Sequence, residues 1–204
     1  MAAHAEAAHA DAAAHHGPPP AHQSSRVDPR VLGMFLFIAS EVMLFGAFFT
    51  AYFFVRVVNG SPWPPEPYHL PVFVAGVNTA ILVTSSFTMH WALQGIKRDN
   101  RAALKAGLVL TLAMGLTFLL TQLLEYSRVG FNPSDQAFGT IFYGLTGLHG
   151  AHVFIGLTLL FFATVRAFRG HYSAAHHHGV EIPGIYWHFV DVMWIVVYTT
   201  IYIL

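Results

Sequence analysis

The sequence predicts an all-α integral membrane protein, a bundle of five transmembrane helices, and three observations predict it. Charged residues make up only 10% of the 204 positions, against about 25% in an ordinary soluble domain. Hydrophobic residues make up 55%, with 18 Phe among them. The few charges are clustered, leaving long runs with none, whereas a globular fold would spread them over its surface. The composition excludes other classes. Without cysteine no disulfide, zinc–thiolate or iron–sulfur site can be built, and a net charge of zero gives no basis for nucleic-acid binding.

Taken in order, the first 25 residues, "MAAHAEAAHADAAAHHGPPPAHQSS", hold almost no large apolar side chain. They cannot bury enough surface to fold alone and are predicted as a disordered tail, distinct from a membrane domain over 26–204. They also lack the apolar centre of a signal peptide. A span needs about 20 mostly apolar residues, and five stretches supply them. Residues 31–55 contain one charge, Glu41; residues 70–96 contain none, with Pro71 suited to a first helical turn; residues 106–124 contain none. Residues 138–165 contain none but carry His149 and His152, and residues 183–204 contain one, Asp191, three positions after His188. Short connections between such spans predict an antiparallel bundle. Gly144, Gly147 and Gly150 recur every third residue and Gly156 follows, which predicts close packing of a neighbouring helix along the fourth span.

Lysine and arginine fix the expected orientation, since cytoplasmic loops carry the excess. Arg26, Arg30, Lys97, Arg98, Arg101, Lys105, Arg166 and Arg169 fall on one side, and only Arg56 and Arg128 on the other. Eight against two predicts a cytoplasmic N-terminus and an external C-terminus. The first loop, "NGSPWPPEPYHLP", is then external, short and stiffened by its prolines.

The polar residues within the spans are the candidate site. A charge at the bilayer centre costs about 3 kcal/mol or more, so such residues are rarely accidental. Glu41 lies roughly 15 Å into its predicted helix. Two roles are open for it: a carboxyl bonded to a neighbouring helix, or a proton-exchanging group. His149 and His152, spaced i, i+3, share one helix face. His188 and Asp191 repeat that spacing, so Asp191 is placed to orient His188 or a histidine across the bundle. Glu125, with Tyr126, marks the external end of the third span. For the histidines three readings compete: buried hydrogen bonding, haem or metal ligation, and proton relay. The soluble histidines (His4, His9, His15, His16 and His22 in the tail; His171, His176, His177 and His178 in the fourth loop) are expected to be solvated and without a dedicated role. No glycine-rich phosphate loop, nucleophile elbow or HExxH pattern occurs. A bundle with so few charges and no cofactor motif reads as a subunit packed against a larger partner.

Five strings carry a family resemblance: "FIASEVMLFGAFFTAYF", "NTAILVTSSFTMHWA", "LLTQLLEYSRVGF", "FYGLTGLHGAHVFIG" and "YWHFVDVMWIVVYTTIY". In order, across residues 31 to 204, they resemble subunit III of the haem–copper terminal oxidases. Many members have seven helices, and this chain resembles the short five-helix bacterial form. The resemblance implies a multi-pass subunit of a bacterial plasma membrane with no haem or copper of its own, those cofactors lying in partner subunits. It implies packing against subunit I in a complex that also contains subunit II and is open to other respiratory-chain subunits. It also implies phospholipid bound between the helices and support of proton uptake and durability of the oxygen-reducing centre. By motif, Glu41 matches the family's intramembrane carboxylate, and Glu125, His149, His152, His188 and Asp191 fall on its polar positions, none of them catalytic or metal-binding.

The electron donor stays open between cytochrome c, which the proline-rich first loop favours, and a quinol. Two rival classes remain. One is a membrane cytochrome with histidines of the fourth and fifth spans as axial haem ligands. The other is a small proton-coupled transporter using Glu41, against which no span is broken by an internal proline and no inverted repeat is found.

Overall fold

The computed structural model describes residues 28–60, 62–66 and 68–204; the predicted tail over 1–25 and Arg26 lie outside them. Five helices follow one another: α1 (Pro29–Asn59), α2 (Val72–Lys97), α3 (Arg101–Tyr126), α4 (Ala137–Phe168) and α5 (His178–Tyr198), the last running into a π-helical turn over Thr199–Ile203. All five, α5 taken with its terminal turn, are long and apolar enough to cross a membrane. The remaining pairing among the described residues is a single bridge between Ser173 and His176.

The helix ends follow from local chemistry. Asp28 caps α1 by accepting from the Arg30 amide at 2.8 Å, and Pro29 sits where its missing N–H costs nothing. Gly60, at φ +71°, turns the chain out of α1 while its N–H bonds Arg56 O. Pro71 lies one step earlier than predicted, as the cap of α2, and its carbonyl accepts from the Ala75 amide at 3.0 Å. Between α2 and α3 the turn is tight. Asn100 caps α3 through the Ala103 amide at 3.0 Å, while its own amide bonds Gly95 O at 2.9 Å.

The fifth helix departs from the sequence reading. It begins five residues before position 183, so Pro183 lies inside it rather than at its start. A proline removes the hydrogen bond that the carbonyl four residues earlier would accept. Here that carbonyl is Gly179 O, and the Tyr172 hydroxyl from the preceding loop donates to it at 3.3 Å. Burial pushes the Tyr172 hydroxyl above its ordinary range and so keeps it a donor.

In the bundle, α5 is the central helix, packed on α1, α2 and α4. Trp187 and Trp194 are its largest fully buried side chains. α1 is peripheral. It touches α4 and α5, buries only Phe45 and Tyr52 completely, and leaves Met43 77% and Val57 80% exposed. The glycine row of α4 does not pack as predicted. A methyl group built at Gly147 or Gly150 meets nothing within 4 Å, and at Gly144 it only grazes Phe48 at 3.4 Å. Gly156 alone is tight, against Trp187 at 2.8 Å. A close approach of two helix backbones occurs instead between α2 and α3, where a methyl at Gly107 would lie 2.7 Å from Ala92 Cβ and 2.9 Å from Thr88 O.

The two ends of the bundle differ. One gathers the start of α1, the α2–α3 turn and the α4–α5 loop. There Lys97 Nζ lies 4.0 Å from Glu181, Asp28 lies 3.5 Å from His178, and the Lys105 and Arg166 cations sit over Phe168 and Tyr172. At the opposite end aromatic rings close the bundle. Trp63 Nε1 donates to the Tyr52 hydroxyl at 3.0 Å, and the Tyr68 ring lies 4.7 Å from that of Phe131.

Candidate functional site

The polar side chains buried or half-buried between the helices form three groups. In the first, Glu41 of α1 meets His152 of α4, with Oε2 and Nε2 at 2.8 Å. The other ring nitrogen, Nδ1, lies 2.8 Å from Leu148 O. A carbonyl only accepts, so Nδ1 carries the hydrogen. One proton then lies between Oε2 and Nε2, on the acid or on the imidazole. Either way the pair has no net charge, which is how a hydrocarbon-spanning helix accommodates a carboxylate. The Phe45 ring covers His152 at 5.0 Å between centroids, and the pair joins the peripheral α1 to the rest of the bundle.

The second group ties α2 to α5. Ser86 Oγ donates to Asp191 Oδ2 and lies 2.9 Å from His188 Nδ1. A hydroxyl has one hydrogen, so Nδ1 carries its own and donates to Ser86. Asp191 thus orients His188 through Ser86, a residue that no sequence pattern singled out. Asp191 is 3% exposed and its Oδ1 has no protein partner.

The third group lies toward the aromatic end, where α2, α3, α4 and α5 meet. Glu125 Oε1 accepts from the Tyr202 hydroxyl at 2.7 Å, while its Oε2 has no protein partner. One turn back on α3, Gln122 is equally buried, beside the Tyr126 and Tyr202 hydroxyls, with neither side-chain atom in good hydrogen-bonding geometry to them. Asn78 donates to Phe118 O at 3.2 Å and leaves its own Oδ1 unpartnered. His149 stands between the rings of Phe118 and Trp194, at 5.8 and 4.7 Å, with both nitrogens unbonded. His149 and His152 therefore serve different neighbours despite their i, i+3 spacing. Nearby, the Tyr126 hydroxyl donates to Thr146 Oγ1 at 2.9 Å.

Tyr202, Ser86, Gln122 and Asn78 were missed in the sequence. The available signal was the presence of amides and hydroxyls inside otherwise apolar spans. Among the described residues no group of three or more His, Asp or Glu side chains is gathered as a metal-ligand set. The histidines of the α4–α5 loop fall into local contacts, His178 with Asp28 and Glu181, and His177 with Ala174 O.

Against known proteins, residues 13–204 match the family model described as cytochrome c oxidase subunit III. A protein of Thermostichus vulcanus named cytochrome c oxidase subunit 3 is 42% identical over 184 residues, 90% of this chain and 91% of that one. Its namesake in Synechocystis sp. (strain ATCC 27184 / PCC 6803 / Kazusa) is 40% identical over 196 residues, covering 95% of this chain and 80% of the relative. The horse protein of that name, from Equus caballus, is 39% identical over 176 residues, 83% of this chain and 67% of its own length. With the match running through all five helices, the chain belongs to the cytochrome c oxidase subunit III family.

Proposed function

We propose that this chain is the third subunit of a respiratory haem–copper oxidase of the cytochrome c type, a multi-pass component of the oxygen-reducing complex with no redox centre of its own. It packs against subunit I, in a complex with subunit II, and its basic end faces the cytoplasm of a bacterial cell. The observation that carries this reading beyond family membership is the state of α1. Its outward face is a continuous apolar surface including Phe35, Leu36, Met43 and Phe54. Its inward face is pinned at mid-helix by the Glu41–His152 bond. Such an outrigger suits a helix whose remaining contacts come from acyl chains and from another subunit.

In this reading the residues act by position. His152, fixed by Leu148 O, holds the Glu41 carboxyl in one place and shares its proton without adding net charge. The Ser86–His188–Asp191 and Glu125–Tyr202 contacts hold α2, α3 and α5 in register. The chain thereby presents a stable wall beside the subunit that performs the chemistry, supporting its proton uptake and durability.

The test is purification of the tagged chain from native membranes in mild detergent. A larger haem- and copper-bearing chain should accompany it in fixed ratio, with cytochrome c oxidase activity. Replacing His149, His152 or His188 by Ala should leave haem and copper per large subunit unchanged. A Soret band that stays with this chain after its partners are stripped away would establish the membrane-cytochrome reading instead.

A further inference from the structure

Seven buried side-chain atoms among the described residues have no protein hydrogen-bond partner, and six of them belong to one place: Asn78 Oδ1, Gln122 Nε2 and Oε1, Glu125 Oε2, and both nitrogens of His149. The four residues are between 1% and 4% exposed. They are strung along the register of α3. Asn78 and His149 both touch Phe118, Gln122 is one turn further along α3, and Glu125 is almost a turn beyond that. The line is roughly 10 Å long at 1.5 Å per residue. Beyond Glu125 it reaches a cavity of about 180 Å³ lined by His69, Pro71, Thr121, Glu125, Arg128 and Val129, at the aromatic end of the bundle.

A buried polar atom without a partner costs about 1–3 kcal/mol. Six of them concentrated at one four-helix junction would be prohibitive in a membrane interior, where lipid offers no hydrogen bonds. The alternation of donors and acceptors along the line is also too mixed for a cation site, which would call for oxygen ligands throughout.

We infer that this junction is an internal water-binding site, a short file running from His149 and Asn78 past Gln122 to Glu125, which exchanges with the outside through the cavity at His69 and Arg128. With about three hydrogen bonds per buried water, six atoms call for on the order of two or more molecules. The file is walled by Phe118 and Trp194 and stops there. It is separate from the Glu41–His152 pair, which has its own partners, and it does not depend on the proposed place of the chain in an oxidase.

Radiolytic labelling in water carrying oxygen-18 tests it, on whatever complex the chain purifies in. Hydroxyl radicals form where water is bound and attack the adjacent side chain, even one shielded from bulk solvent. Trp187 is the internal control. It is as buried as Trp194 and its indole is likewise bonded to one hydroxyl, Ser85 Oγ at 2.9 Å against Thr79 Oγ1 at 2.8 Å for Trp194. Its neighbours Ser85, Gly115 and Gly156 carry none of the six unpartnered atoms. Trp194 and Tyr202 should take up labelled oxygen several-fold faster than Trp187. Gln122→Leu or Asn78→Leu should bring the Trp194 rate down toward the control. Equal, slow labelling of Trp194 and Trp187 in the unaltered protein would overturn the inference, whether or not the variants assemble. An unchanged Trp194 rate in an assembled Leu variant would overturn the placement of the file.

Discussion

Glu41 shows what a single residue contributes and what remained hidden about it. With one proton shared between Oε2 and His152 Nε2, its proposed duty is to hold α1. Gln keeps a donor that reaches the same nitrogen, so Glu41→Gln should assemble and consume oxygen at the normal rate across pH. Glu41→Ala leaves the His152 nitrogen unsatisfied, at about 1–3 kcal/mol, and opens a cavity as well. That variant should lose α1 contacts and release the chain from its complex at lower temperature. Steady-state oxygen uptake against pH, on complexes of verified composition, checks both. Slowing at high pH in the assembled Gln variant would assign Glu41 a proton-passing role instead. The sequence exposed this residue because a charge among apolar neighbours is conspicuous. It did not expose His152 as the partner, since the two are 111 positions apart. Helical spacing put His149 and His152 on one face, yet three residues leave them about 60° apart. That angle is enough to send His152 to α1 and His149 between Phe118 and Trp194.

At the scale of elements, hydropathy located every helix because a 20-residue apolar run has few alternatives in this composition. It did not say which helices touch closely. Glycine spacing pointed to α4, but Gly147 and Gly150 face open space while Gly107 of α3 sits against the α2 backbone. A periodic pattern reports that a close approach is permitted; only the partner surface makes it happen. Gly107→Ala should therefore force α2 and α3 apart and destabilise the bundle by about 1–3 kcal/mol. Gly147→Ala should be neutral or mildly stabilising, through helix propensity. Thermal loss of the chain from the purified complex measures both. The reversed order would place the tight interface on α4. The start of α5 was hidden for a related reason. Pro183 reads as a boundary in sequence, and the Tyr172 hydroxyl that lets the helix run through it lies eleven residues earlier.

For the whole molecule, the asymmetry of Lys and Arg between the two ends predicts that the α4–α5 loop faces the cytoplasm. The chain has no cysteine, so single replacements report cleanly. Glu66→Cys should react with an impermeant thiol reagent in intact cells, and Ala175→Cys, exposed at the basic end, only after the membrane is opened. The opposite pattern would invert the orientation. The loose attachment of α1 has a consequence in time as well as in space. Translation adds roughly 5–20 residues per second, so on the order of 6–22 s pass between the synthesis of Glu41 and that of His152. For that interval the first helix is in the bilayer with its acid unmatched and its outer face bare. It is the part of the nascent chain most in need of an escort, since the contact that neutralises it comes only with α4, and its contacts with α5 come later still.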